Sequence, residues 1–379
     1  MEDKNCAGSI ALCMFSSDHF GGAERRLLRA YGVIARSCPV DLVIIERREG
    51  DLFKAAEKAS VDLSSFQAIH FFSEHSQGKM LIHLFRQKYG TCVFCYLGRF
   101  NAIATHVLEA FGRSATVLHV TNCRYALEAS SPLDIKINPL FISQLKRTSC
   151  IDVLYPDQEK RYASLVGDER VCCTPGTFTD LDLFRPSRKA KRIVLLAARL
   201  DEVKNPYGFV ESIELAAATL RECGYEALLC GQGENYQPLA SMIADRGLDD
   251  CLKMPGYVKP EEVLSEASVA CFLSCKENYP SQALAEATAC GCCIIATNVG
   301  NTSSLVESSF GTLVEPCPAA IASALCSYMT LSAEDKSAIV QQARAFAEAH
   351  YHYGATVEHF RAINDKTRRR HDTRGTKRD

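Results

Sequence analysis

Thirteen short apolar runs, rich in β-branched or aromatic residues, alternate with helix-period stretches along almost the whole chain. In the first half they are Ser9–Phe15, Val40–Glu46, Ala68–Phe72, Thr91–Tyr96, Ala115–Val120, Cys150–Leu154 and Val171–Cys173. In the second half they are Arg192–Ala198, Glu226–Cys230, Leu252–Met254, Val269–Ser274, Cys292–Thr297 and Gly311–Val314. Several are apolar at consecutive positions, so both faces of the strand must be covered. Amphipathic stretches such as Ala23–Arg36, Gly78–Tyr89 and Asn101–Phe111 supply the cover. This alternation makes right-handed βαβ units with parallel sheets, hence an α/β fold. With 379 residues the chain exceeds one ordinary core, and the strands suffice for two sheets. The pattern lapses over Thr174–Ala190, where Pro, Gly, Thr and charges predominate. Two Rossmann-like domains are therefore expected, about 1–185 and 186–345, facing a central cleft that receives the C-terminal ends of the strands. A helical pattern from Ser332 to about Asp365 follows, and residues 366–379 are expected to form a disordered basic tail.

The net charge of −2 excludes a nucleic-acid-scale positive field. It divides unevenly: residues 366–379 carry seven basic side chains against two acidic ones, a net +5, which leaves −7 on residues 1–365. The nineteen cysteines sit mostly among apolar neighbours, as small hydrophobes do, and the Cys92–Cys95 CxxC lies inside an apolar run without a second ligand pair. The N-terminus has acids ahead of a strand-like run and does not resemble a signal peptide. The charge-free stretch Ala287–Val306 is too polar to cross a bilayer. These features predict a reduced, cytoplasmic protein without a metal centre.

Chemistry-bearing residues gather where the predicted strands end. Gly21-Gly22 follows the first strand and opens a helix, where free N–H groups favour a phosphate; a plain turn is the ordinary alternative. Arg199 and Lys204 lie between a strand end and a helix start, where the helix dipole disfavours cations and a bound anion would resolve the conflict. Gly231 and Gly233 follow the next strand, serving either a nucleotide or a tight turn. Gly256-Tyr257-Val258 ends the strand after that. In the segment SCKENYPSQALAEATACGCCIIATNVGN, Ser281 is the expected N-cap and Gly291 the stop of a helix. Glu286 then lies one turn inside that helix, placed for a ribose diol or simply for the dipole. Asp180-Leu-Asp182 has metal-binding spacing but falls in the linker, where a capping or turn role is expected.

Taken in order, GGAERR, AARLDEVKNP, LLCGQGEN, PGYV and ENYPSQALAEATACGCCIIATNVGN resemble the retaining family-4 glycosyltransferases of the GT-B fold. The resemblance covers nearly the whole chain, most strongly from Thr174 to Val314. It implies that Gly22 approaches the donor diphosphate, with Gly21, Gly231 and Gly233 among the donor loops. Arg199 and Lys204 would neutralise that diphosphate without a metal, Glu286 would hold the ribose, and Tyr257 with Val258 would lie by the base. Ser281 and Gln282, at the helix start, are included among the donor contacts. The family's first glutamate falls on either Glu277 or Asn278, because Glu277 is nine residues before Glu286 and Asn278 is eight. His119, at the end of an apolar strand, would contact the transferred sugar; a satisfied strand-end histidine is the alternative, and His19 is a weaker candidate.

The implied activity is transfer of a sugar from a nucleotide-sugar co-substrate to a glycan or lipid-linked acceptor, with retention and no cofactor. The final helix, about 346–365, would return to the first domain. Arg25, Arg29 and Arg36, together with the basic tail, would give a peripheral contact with anionic membrane if they are not simply solvated. A non-catalytic GT-B-like subunit that binds sugar or protein, and a nucleotide-sugar epimerase, are the rival readings.

Overall fold

The computed structural model describes residues 9–15, 22–46, 51–58, 61–73, 89–96, 115–120, 125–126, 135–136, 145–146, 148–174, 176–187 and 191–375. The chain forms two compact units, Met1–Gly176 with Gly354–Asp379, and Thr177–Tyr353. The junction lies inside the expected linker, ahead of the predicted boundary at 185.

In the first unit the strands are β1 (Ser9–Phe15), β2 (Val40–Glu46), β3 (Ala68–Ser73), β4 (Tyr89–Tyr96), β5 (Ala115–Val120), the short β6 (Tyr125–Ala126) and β7 (Ile135–Lys136), then β8 (Cys150–Val153) and β9 (Val171–Cys173). Seven of them form one parallel sheet in the order β3-β2-β1-β4-β5-β8-β9, and β6 pairs with β7 separately. Helices α1 (Gly22–Ala35), α2 (Asp51–Lys58) and α3 (Pro156–Val166) belong to this unit. Helix α1 buries Leu27, Leu28, Tyr31 and Ile34, the apolar face read from its periodicity. Its expected basic face is smaller than predicted, since Arg25 and Arg29 are half-buried and only Arg36 of the three is exposed.

The second unit contains β10 (Ile193–Ala197), α4 (Pro206–Glu222), β11 (Glu226–Cys230), α5 (Tyr236–Asp245), β12 (Leu252–Gly256), α6 (Pro260–Leu264), β13 (Val269–Phe272), α7 (Gln282–Ala289), β14 (Cys293–Thr297), β15 (Gly311–Val314), α8 (Pro318–Met329) and α9 (Ala333–His350). Its six strands are parallel in the order β12-β11-β10-β13-β14-β15. Alternate residues feed two cores: Val194, Leu196, Cys293 and Ile295 on one face, Ile193, Leu195, Ile294 and Ala296 on the other. Two buried faces explain why these strands read as unbroken apolar runs. The chain winds outward from β10 to β12 and then returns to β13 on β10's other side, which puts a topological switch between β10 and β13.

The helical pattern after Ser332 resolves into α9 and a separate α10 (Tyr353–Gly375), which belongs to the first unit. The expectation of a disordered tail from residue 366 is corrected, because α10 runs through Gly375. Phe360, Ile363 and Thr367 repeat at helical spacing and are all buried, while Lys366 and Arg369 face outward. Basic residues in the last turns also suit the helix dipole. No helix among the described residues is long and apolar enough to cross a membrane.

Candidate functional site

The loop after β10 brings the two predicted cations to the switch point of the second sheet. Asp201 caps a short 3-10 turn (Glu202–Lys204), its Oδ1 accepting from the Lys204 backbone N–H at 3.1 Å. Its other oxygen pairs with Arg199 Nη2 at 2.9 Å. Asn205, in the left-handed region at φ 53°, caps α4 by accepting from the Gly208 N–H. Lys204 Nζ reaches across to β13's loop and donates to Ser274 Oγ at 3.3 Å. Cys275 N–H donates to Val203 O at 3.1 Å, so the loops on both sides of the switch are joined. Arg199 and Lys204 therefore sit where a doubly wound sheet receives a ligand.

The loop after β11 lies against the same turn. A Cβ on Gly231 would meet Ala198 O at 1.9 Å, and one on Gly233 would meet Leu200 O at 2.6 Å. Both glycines are required by backbone-to-backbone packing within the unit. Gly256 takes φ 78° and is followed by Tyr257, which is exposed, and Val258, which is half-buried against the core.

After β13 the two contenders for the first glutamate diverge. Asn278 is buried, and its Nδ2 is shared among Phe272 O, Thr297 Oγ1 and Thr302 Oγ1 at 3.2–3.3 Å. Glu277 is half-buried and accepts from the backbone N–H groups of Tyr279 at 2.8 Å and Asn301 at 3.0 Å, and from Asn301 Nδ2 at 3.2 Å. The carboxylate thus ties β13's loop to β14's loop, and Gly300 (φ 54°) leaves it room, since a Cβ there would sit 2.2 Å from Glu277 Oε2.

Helix α7 starts as the sequence predicts, with Ser281 Oγ accepting from Leu284 N–H. Gln282, an expected donor contact, is instead buried, with Nε2 donating to Phe178 O at 2.7 Å; it anchors the segment leading into this unit. Glu286, expected to hold the ribose, is fully buried on α7 with both carboxylate oxygens covered, so it presents neither to a diol in this structure. Burial and the charge of Glu286 push the Cys290 thiol up to about 12, and burial alone does the same for Cys230. These thiols stay protonated at neutral pH and act as hydrophobes. Asp180 Oδ1 accepts from the N–H groups of Asp182 and Leu183, a turn role for the Asp-x-Asp. Among the described residues, no group of three His, Cys, Asp or Glu side chains could hold a metal ion.

His119 departs from its assigned part. It lies in β5 at 1% exposure, with Nδ1 2.7 Å from Asp152 Oδ2 and Nε2 3.0 Å from the Tyr31 hydroxyl. Asp152 also accepts from His359 Nε2 of α10 at 2.7 Å and from Thr174 Oγ1 at 2.6 Å. Asn364 Nδ2 donates to the Tyr31 oxygen at 3.4 Å, and Phe360 packs on both Tyr31 and His119. Burial holds the His119 pKa below its usual value despite the Asp152 carboxylate beside it. Burial would raise Asp152, but its hydrogen bonds to the two histidines outweigh that and hold it well below the carboxylate range. A neutral imidazole that donates from Nδ1 and accepts the Tyr31 O–H at Nε2 satisfies every partner. Both ring nitrogens are consumed, so His119 presents no atom to a sugar in this structure; it is a satisfied core histidine.

Gly22 opens α1, whereas Gly21 and His19 lie outside the described residues, as does the side chain of Cys95. The sequence reading did not single out Asp201, Ser274, Asp152 or His359. Asp201 was within reach, since an Asp immediately ahead of a helical turn is a cap signal. The other three acquire their roles only through distant partners.

Residues 181–346 match the family model described as glycosyl transferases group 1. No curated protein matches the sequence. Among solved structures the chain resembles HepE of Anabaena, solved in complex with UDP and glucose, with 15% identity over 94% of this chain and 98% of that one and a TM-score of 0.71. The pneumococcal O-GlcNAc transferase GtfA, solved with UDP and GlcNAc, gives 11% identity over 95% and 99% and a TM-score of 0.75. Sucrose-phosphate synthase of Thermosynechococcus elongatus gives 18% over 94% and 98% and a TM-score of 0.70. The fold is GT-B, and the second unit carries the group 1 glycosyltransferase sequence pattern.

Proposed function

We propose, for a chain of GT-B fold whose second unit has the group 1 pattern, that the protein is a glycosyltransferase using a nucleotide-sugar donor. The observation that carries this reading is the placement of Arg199 and Lys204 at the switch between β10 and β13, joined through the Lys204–Ser274 bond. Fixed cations there would neutralise the donor's diphosphate and stabilise it as it leaves, which is the work a metal does elsewhere. Tyr257 with Val258 would flank the base, and the ribose would be held by groups other than the buried Glu286. Transfer would proceed with retention of configuration, to a glycan or lipid-linked acceptor. The chain's part is then positioning and charge rather than a side-chain base, since His119 is committed to the core. HepE and GtfA are solved with UDP, which makes uridine the first base to try. A cytoplasmic location, with peripheral contact to anionic membrane through Arg36 and the outward basic residues of α10, belongs to the same proposal.

A thermal-shift panel of UDP-, GDP-, ADP- and CMP-sugars, followed by turnover of whichever stabilises the protein, tests it. One nucleotide series should raise the Tm, and its sugar should be released or transferred with nucleoside diphosphate as the by-product. No shift and no turnover with any donor would overturn it. One observation favours a non-catalytic subunit: Glu277 and Asn278 both hold the fold's own groups. Stabilisation without turnover would select that reading, and an isomerised sugar nucleotide would select an epimerase.

A further inference from the structure

The Arg199–Asp201 ion pair sits inside the proposed diphosphate site, which is an unusual place for a carboxylate. Asp201 has two separable roles. Oδ1 accepts the Lys204 N–H and caps the turn, a role that a neutral Asn or Ser fills equally well. Oδ2 neutralises Arg199, and the cap has no need of that charge. Arg199 is 59% exposed and Asp201 24%, so the pair is wet and readily exchanged. We propose that Asp201 is a built-in counter-ion that competes with the diphosphate for Arg199 and so limits how tightly the nucleoside diphosphate product is held.

The inference rests on the diphosphate assignment of Arg199 and Lys204. Its sign follows from magnitudes. Anchoring an exposed Arg through one surface ion pair contributes little. Binding must break or share that pair, and a carboxylate beside a group bearing two or more negative charges opposes it as well, even in a high dielectric. Removing the charge while keeping the cap should therefore strengthen binding. In the empty site Asp201 keeps the guanidinium beside the Lys204 turn, and on product release it takes the guanidinium back. As a positioning residue it acts through Arg199 and sets the balance between capture and release.

The test is calorimetric titration of UDP and of inorganic pyrophosphate into Asp201→Asn and Asp201→Ser, the second covering the case in which the first folds poorly. Both should bind roughly three- to tenfold more tightly than the unaltered protein at low salt, with the gain shrinking at high salt. On an Arg199→Ala background the part of the gain that comes from competition for the cation should be lost, leaving only the direct repulsion between the carboxylate and the diphosphate. UDP should inhibit the single variants at correspondingly lower concentration. A structural defect cannot produce tighter binding, so the direction of the change is diagnostic. Equal or weaker binding in both variants, while Arg199→Ala still weakens UDP, would overturn the inference and leave the site assignment standing. Unaltered protein that binds neither ligand, or an Arg199→Ala protein that binds both unchanged, would remove the site assignment and the inference with it.

Discussion

Two clusters of charge among the described residues, one in each unit, are built in opposite ways. Around Asp152 everything is closed: a carboxylate at 1% exposure takes hydrogen bonds from His119, His359 and Thr174, contributed by three separate stretches of chain. Around Arg199 and Lys204 the groups stay partly in water, and their partners, Asp201 and Ser274, are neighbours at the ends of two strands. A buried charge must be fully satisfied or it destabilises the fold, which leaves nothing over for a ligand. An exposed charge held by one or two bonds costs little and can change partners. Residue type alone would have favoured the His–Asp cluster as the reactive centre; burial and saturation assign it to architecture, and the proposed diphosphate role rests on the arginine and lysine instead.

The contrast can be broken most sharply at Asp152. Replacing it with Ala leaves His119 and His359 without their shared acceptor and should destabilise the first unit by about 3–5 kcal/mol, read from urea denaturation. A loss under 1 kcal/mol would mean the cluster is not a structural keystone. Lys204→Ala is the converse case: removing one charge-assisted contact should weaken UDP by about 1.5–3 kcal/mol, roughly 10- to 150-fold, with the Tm of the ligand-free protein nearly unchanged. Gly231→Ala should lower stability by about 1–3 kcal/mol because its Cβ would meet the Ala198 carbonyl, and circular dichroism melts would register it. The smallest effect concerns pH. The folded His119 pKa lies below its ordinary 6.5, so its contribution to stability is complete above that value and declines as acid protonates the unfolded state first. Stability should fall below about pH 6.5 no more steeply than about 1.4 kcal/mol per pH unit for this one proton, and His119→Gln should flatten the slope.

Much of the fold was legible because both sheets are buried on two faces. β1, β2, β5, β9, β11 and β15 coincide with their apolar runs from first residue to last. Helix α2 and the β6–β7 pair were not read, the first being short and the second only two residues a strand. The Arg199–Lys204 pair was legible because both cations lie within six consecutive residues, whereas the Ser274 that Lys204 reaches lies 70 residues on. His119 was misassigned because what satisfies it lies 33 residues away at Asp152 and 88 away at Tyr31. Glu277 was recognisable as important, but only the folded loop shows its carboxylate holding the Asn301 and Tyr279 amides. The long reach of α10 escaped because its buried stripe, one residue in three or four, is diluted by basic residues.

That reach has a consequence for biosynthesis. The second unit is one uninterrupted stretch, Thr177–Tyr353, whereas the first needs α10, made after it. On the ribosome the later-made sheet has all its strands and helices in hand while the earlier one still lacks a wall. Until His359 emerges, Asp152 has lost one of its donors and Phe360 is absent from over His119 and Tyr31. The first unit to be translated is thus the last to be completed, and a chain truncated before Gly354 would release a finished second unit joined to a first one open around Asp152.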